Sequence, residues 1–383
     1  MKRVAVLGST GSVGANTLKL VGERPERFAV STLVAHRSAE VLLEQVRLFR
    51  PRSACLVQGD GPPPGWPAGT ELRTGAEGVL EALEIAAPDL VLNAITGAAG
   101  LPASEWALRR GVPLALANKE SLVIAGAWLM ELARQHSTPI LPVDSEHCAI
   151  HQCLRDEARP AVRRVYLTGS GGPFRQRPVR EFASITPQEA LRHPTWTMGP
   201  RITVGSATMM NKAFEVVEAH WLFDLAPEQI EVVIHPQSIV HSMVEFVDGS
   251  ILAQLGLPDM RVPILYCLAW PERAPFAFEG FDLARFRNLE FLPVEPERYP
   301  ALALGHEVVR RGGDSGAVLN AADEVATEMF LAGRIPFPEI ARGVAELVHA
   351  HSPRPLRGLD DALAADRAAR ARARQRLGQG SPA

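Results

Sequence analysis

Val4-Ala5-Val6-Leu7-Gly8-Ser9-Thr10-Gly11-Ser12-Val13-Gly14 reads as a buried strand running into a glycine turn that opens a helix. A helix that starts this way offers backbone N–H groups and the positive end of its dipole, which suit a pyrophosphate. Gly8 and Gly11 remove side chains that would block a close backbone approach, and Gly14 lets the helix pack on its strand. The spacing is G-x-x-G-x-x-G rather than the commoner G-x-G-x-x-G, so the strand before and the helix after carry the dinucleotide reading. The alternative is an ordinary tight turn between strand and helix.

The next segment supplies a second strand and a cofactor preference. Residues 28–35 are apolar and β-branched and end in His36-Arg37-Ser38, with no Asp or Glu between Phe28 and Ala39. A carboxylate near this point would hold the ribose 2′-OH of NAD, whereas an arginine accommodates the 2′-phosphate of NADP. Arg37 and Ser38 therefore favour NADP, the alternative being a solvated loop arginine. Further strand-like runs at 54–57, 90–94, 112–117 and 140–143 alternate with helix-like segments at 40–49, 76–86, 104–110 and 120–136. That alternation predicts βαβ units, a parallel sheet and right-handed crossovers.

From Asp144 the pattern changes. An apolar stripe of Met209, Met210, Ala213, Phe214, Val216, Val217 and Trp221 predicts a helix that starts at Ser206. Residues 232–235, 240–246 and 250–255 read as strands of an antiparallel sheet, the last two joined at Asp248-Gly249. Residues 170–200 contain five prolines, which reads as a flap over a ligand or as disorder. Residues 271–298 read as a linker, and helices are expected from residue 299 onward.

Composition bounds the function classes. A chain of 383 residues with 22% charged residues and a net charge of −3 describes an ordinary globular protein of about two or three domains. That charge balance argues against general nucleic-acid affinity, and the run Arg367, Arg370, Arg372, Arg374, Arg376 reads as a solvated helix face or frayed tail. The four cysteines form no CxxC pair and suit a reducing compartment. No apolar run reaches the ~18 residues that a membrane span needs, and no signal peptide is evident. A cytoplasmic location is expected.

Several clusters can carry chemistry. Asp144-Ser145-Glu146 follows a strand at its carboxyl end, and with Glu215 would make a hard oxygen site for Mg²⁺ or Mn²⁺. The alternative is an acidic helix start capped by Ser145. His147 and His151, four apart, lack a third soft ligand and read as structural histidines. Thr168-Gly169-Ser170-Gly171-Gly172 forms a candidate anion nest, and Ser206, Asn211 and Lys212 can join it around a phosphate. A capped helix with a Lys212–Glu215 surface pair remains the alternative. Asn118-Lys119-Glu120 opens a helix at another strand's carboxyl end, where Lys119 would meet a substrate oxygen.

Taken in order, these motifs resemble the 1-deoxy-D-xylulose 5-phosphate reductoisomerase family. The likeness runs through Gly8–Gly14, Ala117-Asn-Lys-Glu-Ser121, Leu141-Pro-Val-Asp-Ser-Glu-His147 and Leu167-Thr-Gly-Ser-Gly-Gly-Pro-Phe174. It continues through His193-Pro194, Ser206-Ala-Thr-Met-Met-Asn-Lys212, Ile234-His-Pro-Gln-Ser238, Leu252-Ala-Gln-Leu-Gly256, Pro258-Asp-Met-Arg261 and Leu319-Asn-Ala-Ala322. The resemblance implies an α/β fold: a Rossmann-like NADP-binding domain at 1–143 and a central α+β catalytic and dimerisation domain at 144–270 with its flap at 170–200. A linker at 271–298 and a C-terminal helical domain at 299–383 would complete it.

The resemblance also assigns roles. Gly8, Thr10, Gly11, Ser12 and Val13 would hold NADPH, with His36, Arg37 and Ser38 near the 2′-phosphate and Asn118, Glu120 and Gly199 as further contacts. Asp144, Glu146 and Glu215 would bind a divalent cation (Mg²⁺, Mn²⁺ or Co²⁺). Lys119, Ser145, Glu146, Ser170, His193, Ser206, Asn211, Lys212 and Glu215 would contact a sugar phosphate, with Trp196 on the flap. Lys119, Asp144, Glu146, His193 and Glu215 would carry the chemistry. His36 and Ser38 stand where many members have Gly and Asn. A homodimer is implied, with no nucleic-acid or membrane partner. The activity implied is NADPH-dependent rearrangement and reduction of 1-deoxy-D-xylulose 5-phosphate to 2-C-methyl-D-erythritol 4-phosphate, for isoprenoid precursors. The alternative is an NADP-dependent dehydrogenase of another small carbonyl compound.

Overall fold

Val4, Ala5, Val6 and Leu7 are wholly buried in the first strand, β1 (Lys2–Leu7), as a strand covered on both faces requires. The computed structural model describes residues 1–155, 157–192 and 199–378, and the chain divides into two units. The first comprises Met1–Ser121, Leu129–Ser145 and Asp259–Phe278; the second comprises Leu122–Trp128, Glu146–Pro258 and Glu279–Ala383.

In the first unit β1 is joined by β2 (Phe28–Ala35), β3 (Ser53–Leu56), β4 (Glu71–Thr74), β5 (Leu90–Asn93), β6 (Leu114–Leu116) and β7 (Ile140–Pro142). Their order is β4-β3-β2-β1-β5-β6-β7 and every pairing is parallel. The order reverses between β1 and β5, and it is at the carboxyl ends of such strands that open parallel sheets receive ligands. β4 goes beyond the sequence-based expectation. Glu71-Leu72-Arg73-Thr74 has no apolar run, because an edge strand is only half covered and its fourth residue is already exposed.

The second unit is built on β8 (Val162–Gly169), β9 (Ile230–Ile234), β10 (Val240–Phe246) and β11 (Ile251–Leu255), in the order β11-β10-β8-β9. β10 runs antiparallel to β8 and β11, but β8 and β9 are parallel, so the sheet is mixed rather than purely antiparallel. The whole of helix Met210–Phe223 lies between β8 and β9 in sequence, long enough for the crossover that a parallel pair needs.

That helix is apolar on two faces. Val216, Ala219 and Phe223 pack with Val165, Leu167 and Val244 of the sheet. Met210, Ala213, Phe214 and Val217 pack with Leu304, Val318, Ala322 and Phe330 of the C-terminal helices. A single stripe in the sequence thus serves two cores.

In the described part of the expected flap, residues 170–192, Phe174 and Phe182 are buried, Phe182 meets Phe337 edge-on at 5.8 Å, and a Thr186–Glu189 capping box starts the short helix Pro187–Ala190. Aromatic anchoring ties this proline-rich segment to the core. In the arginine run Arg367, Arg372 and Arg374 are exposed, as a solvated helix face requires, while Arg370 pairs with Glu324 at 2.7 Å and Arg376 with Glu346 at 2.5 Å. The roles assigned to His193 and Trp196 lie outside the described residues.

Candidate active site

At the carboxyl end of β1, Gly8 adopts φ +81°, and a Cβ there would stand 2.6 Å from the Ala94 carbonyl oxygen. A Cβ on Gly14 would approach the Gly8 oxygen to 2.3 Å. Both glycines are therefore demanded by backbone contact. Gly11 differs, because its Cβ would meet only the Gly8 oxygen, at 3.4 Å. Gly11 caps helix Ser12–Gly22 without a side-chain hydrogen bond, which leaves the first-turn N–H groups to an anion. Ser9, which the sequence reading passed over, is buried and donates from Oγ to Gln45 Oε1 at 2.7 Å, pinning the turn to the next helix.

His36, Arg37 and Ser38 are exposed just beyond β2, and Ser38 begins helix Ala39–Phe49 without a capping hydrogen bond from its side chain. These groups fit a phosphate on a ribose better than a diol, because no carboxylate stands among them.

Asn118 has a structural task. Its amide donates to the Ile95 carbonyl at 2.5 Å, the Gly97 carbonyl at 3.0 Å and Glu120 Oε2 at 3.0 Å, while its Oδ1 accepts from the Ser121 N–H. It thereby holds the loop after β5 against the start of helix Lys119–Gln135. Beside it, Lys119 Nζ donates to Asp144 Oδ2 at 2.7 Å, with both side chains largely shielded from solvent.

The second unit holds the densest charge. Lys212 Nζ donates to Glu146 Oε1 at 2.8 Å, to Glu215 Oε2 at 2.6 Å and to the Thr168 carbonyl at 2.5 Å. Glu215 is fully buried and its Oε1 accepts from Asn211 Nδ2 at 2.6 Å. Burial alone would push the Lys212 ammonium down, but Glu146 and Glu215 outweigh it and hold it above its ordinary value. The ammonium thus sits as a cation between two carboxylates and a carbonyl, an all-oxygen donor set that suits a hard divalent ion.

Ser206 is not at a helix N-terminus as expected. It lies in the last turn of helix Pro200–Thr208, Met209 breaks the chain at φ +60°, and Asn211 and Lys212 open the next helix. The turn Gly171-Gly172 (φ +81° and +66°) accounts for its placement: a Cβ on Gly172 would lie 2.8 Å from the Ser206 carbonyl oxygen. Gly172 N–H donates to Ser170 Oγ at 3.2 Å, and Tyr299 Oη donates to the Gly171 carbonyl at 2.8 Å. Ser170, Ser206 and the helix bearing Asn211 and Lys212 are thus gathered in one place. Gly199 precedes helix Pro200–Thr208, and a Cβ there would meet nothing within 4 Å.

His147 is fully buried, with Nδ1 3.2 Å from Glu218 Oε2 and Nε2 2.9 Å from the Glu215 carbonyl oxygen. His151 is pushed down to about 4, first by burial and then by the charges of Arg159 and Arg155. Glu218 was missed, although its spacing of three from Glu215 places both on one helix face.

Comparison with known proteins identifies what this chain is similar to. Family models for 1-deoxy-D-xylulose 5-phosphate reductoisomerase match residues 4–126, and models for its C-terminal domains match 140–223 and 255–372. The reductoisomerase of Anaeromyxobacter sp. (strain K) is 48% identical, covering 99% of this chain and 98% of its own length. That of Moorella thermoacetica is also 48% identical, covering 97% of each. Among solved structures, the Zymomonas mobilis enzyme in complex with NADPH has a TM-score of 0.90 at 41% identity, covering 98% and 99% of the two chains. A reductoisomerase complex with NADPH, fosmidomycin and magnesium has a TM-score of 0.90 at 36% identity over the whole of both chains.

Proposed function

The chain belongs to the 1-deoxy-D-xylulose 5-phosphate reductoisomerase family, and from that premise we infer how its own residues divide the work. The enzyme is an NADPH-dependent oxidoreductase that, with a divalent metal, converts 1-deoxy-D-xylulose 5-phosphate to 2-C-methyl-D-erythritol 4-phosphate for isoprenoid precursors. The alternative of a dehydrogenase for another small carbonyl compound is not favoured.

In this reading residues 1–143 form the NADP domain. Gly8 and Gly14 clear the way to the backbone, and Thr10, Gly11, Ser12 and Val13 line the pyrophosphate turn. His36, Arg37 and Ser38 meet the 2′-phosphate. Asn118 and Glu120 act by shaping the loop beside the nicotinamide end. Asp144, Glu146 and Glu215 hold the metal, which when bound supplies a Lewis acid for the substrate's carbonyl and hydroxyl oxygens. The observation that carries this assignment is the Lys212 ammonium lodged between Glu146 and Glu215.

Lys119, oriented by Asp144, adds positive charge where an alkoxide develops during the skeletal rearrangement. Ser145 offers a hydroxyl to the substrate, and Ser170, Ser206, Asn211 and Lys212 receive its phosphate. Phosphate binding does no chemistry itself but positions the reacting carbons. Following NADPH consumption with 1-deoxy-D-xylulose 5-phosphate, with and without EDTA, tests the assignment: turnover that survives the chelator would refute the metal site.

A homodimer and a cytoplasmic location complete the proposal. Ile251, Leu252 and Leu255 are exposed on the edge strand β11, an apolar edge suited to pairing with a second copy. Among the described residues no disulfide joins the four cysteines, and no helix is long and apolar enough to cross a membrane.

A further inference from the structure

Every proton of the Lys212 ammonium is committed to Glu146, Glu215 or the Thr168 carbonyl. The Asn211 amide is likewise engaged by Glu215. The two groups on this helix best suited to grip a phosphate are thus both turned to the carboxylates. A buried ammonium and a divalent ion cannot share the same pair of carboxylates without strong like-charge repulsion at close range. The way out is short. Lys212 runs past Gly169, whose Cβ position would lie 3.1 Å from Lys212 Cε and 3.8 Å from Nζ. Gly169 is the residue before Ser170, so the missing side chain leaves room along the route to the Ser170–Gly172 turn.

We propose that Lys212 is a resident counter-ion that a divalent metal must displace, and that the released ammonium and the Asn211 amide then bind the substrate's phosphate. This rests on the metal reading above. It makes metal and phosphate binding mutually favourable, because each ligand removes what holds Lys212 away from the other state. It also inverts the usual expectation for deleting a charge from a binding site: removing Lys212 strengthens metal binding while it weakens phosphate binding.

The test needs no turnover. Free Mn²⁺ is followed by electron paramagnetic resonance in titrations of the wild type, Glu215→Gln, Lys212→Met and Lys212→Gln, the last keeping a hydrogen-bond donor for the carboxylates. Glu215→Gln is expected to weaken Mn²⁺ binding, and the Lys212 variants to tighten it, each by roughly tenfold. Unchanged Mn²⁺ affinity in Glu215→Gln would defeat the metal reading itself. Weakening in Glu215→Gln without tightening in a folded Lys212 variant would overturn the displacement alone. In the wild type, Mg²⁺ is expected to tighten inorganic phosphate binding in calorimetry by roughly tenfold. Phosphate affinity indifferent to Mg²⁺ would also overturn it, whether or not the variants fold.

Discussion

In the Gly8–Gly14 turn the chain has removed side chains so that a ligand can reach backbone N–H groups, whereas around Lys212 it has buried charged side chains against one another. The first device is local: seven consecutive residues complete it, and the strand and helix on either side aim it. The second gathers Glu146, Thr168, Lys212 and Glu215 from three elements spread over 70 residues of sequence. A backbone cradle fails when a side chain is added. A buried charge cluster fails when one is taken away, because the remaining charges lose their partner.

The largest expected effect is on the charge side. Glu215→Gln should lower kcat/KM by roughly three orders of magnitude or more while leaving the far-ultraviolet circular dichroism unchanged. Near-normal turnover would erase the contrast between the two units. On the backbone side, Gly14→Val should abolish measurable NADPH binding in fluorescence titration and cost about 1–3 kcal/mol of stability through overpacking. Gly11→Ala, whose Cβ would meet only the Gly8 oxygen at 3.4 Å, should change stability by no more than about 0.5 kcal/mol. Equal damage from the two substitutions would show that space is not what these glycines provide.

Arg37→Ala should raise the KM for NADPH by roughly tenfold to a hundredfold, the worth of a lost charge-assisted hydrogen bond, and leave that for NADH almost unchanged. Equal losses with both cofactors would remove Arg37 from the 2′-phosphate.

The smallest effect concerns His151. Its folded value of about 4 lies below the ordinary 6.5, so the unfolded chain takes up the proton first as pH falls. Its contribution to stability is complete above pH 6.5 and is lost on descent toward about 4. His151→Gln should therefore flatten the fall in urea-unfolding free energy over that window, by at most about 1.4 kcal/mol per pH unit. An identical slope in the variant would contradict neutral burial of this imidazole.

How much was legible differs between the two units for the same physical reason. The parallel sheet announced itself because strands covered on both faces must be largely apolar, as Val4–Leu7 and Leu90–Leu92 are. β4 stayed hidden because an edge strand tolerates Glu71 and Arg73. The parallel β8–β9 pair could not be read because pairing direction depends on the crossover, not on the residues paired. Prolines at 173, 178 and 187 left residues 170–200 open between a flap and disorder, because only packing shows that Phe174 and Phe182 hold the first part of that stretch against the helical core.

By itself the sequence determined the dinucleotide turn, the preference for a 2′-phosphate and the donor types of the acidic site, because each depends on neighbours in the chain or on residue chemistry alone. Only the tertiary structure decided that Asn118 braces a loop, that His147 meets the Glu215 carbonyl oxygen, and that Lys212 lies between Glu146 and Glu215. Those assignments depend on which buried charges meet, and burial is a property of the packed chain rather than of any segment of it.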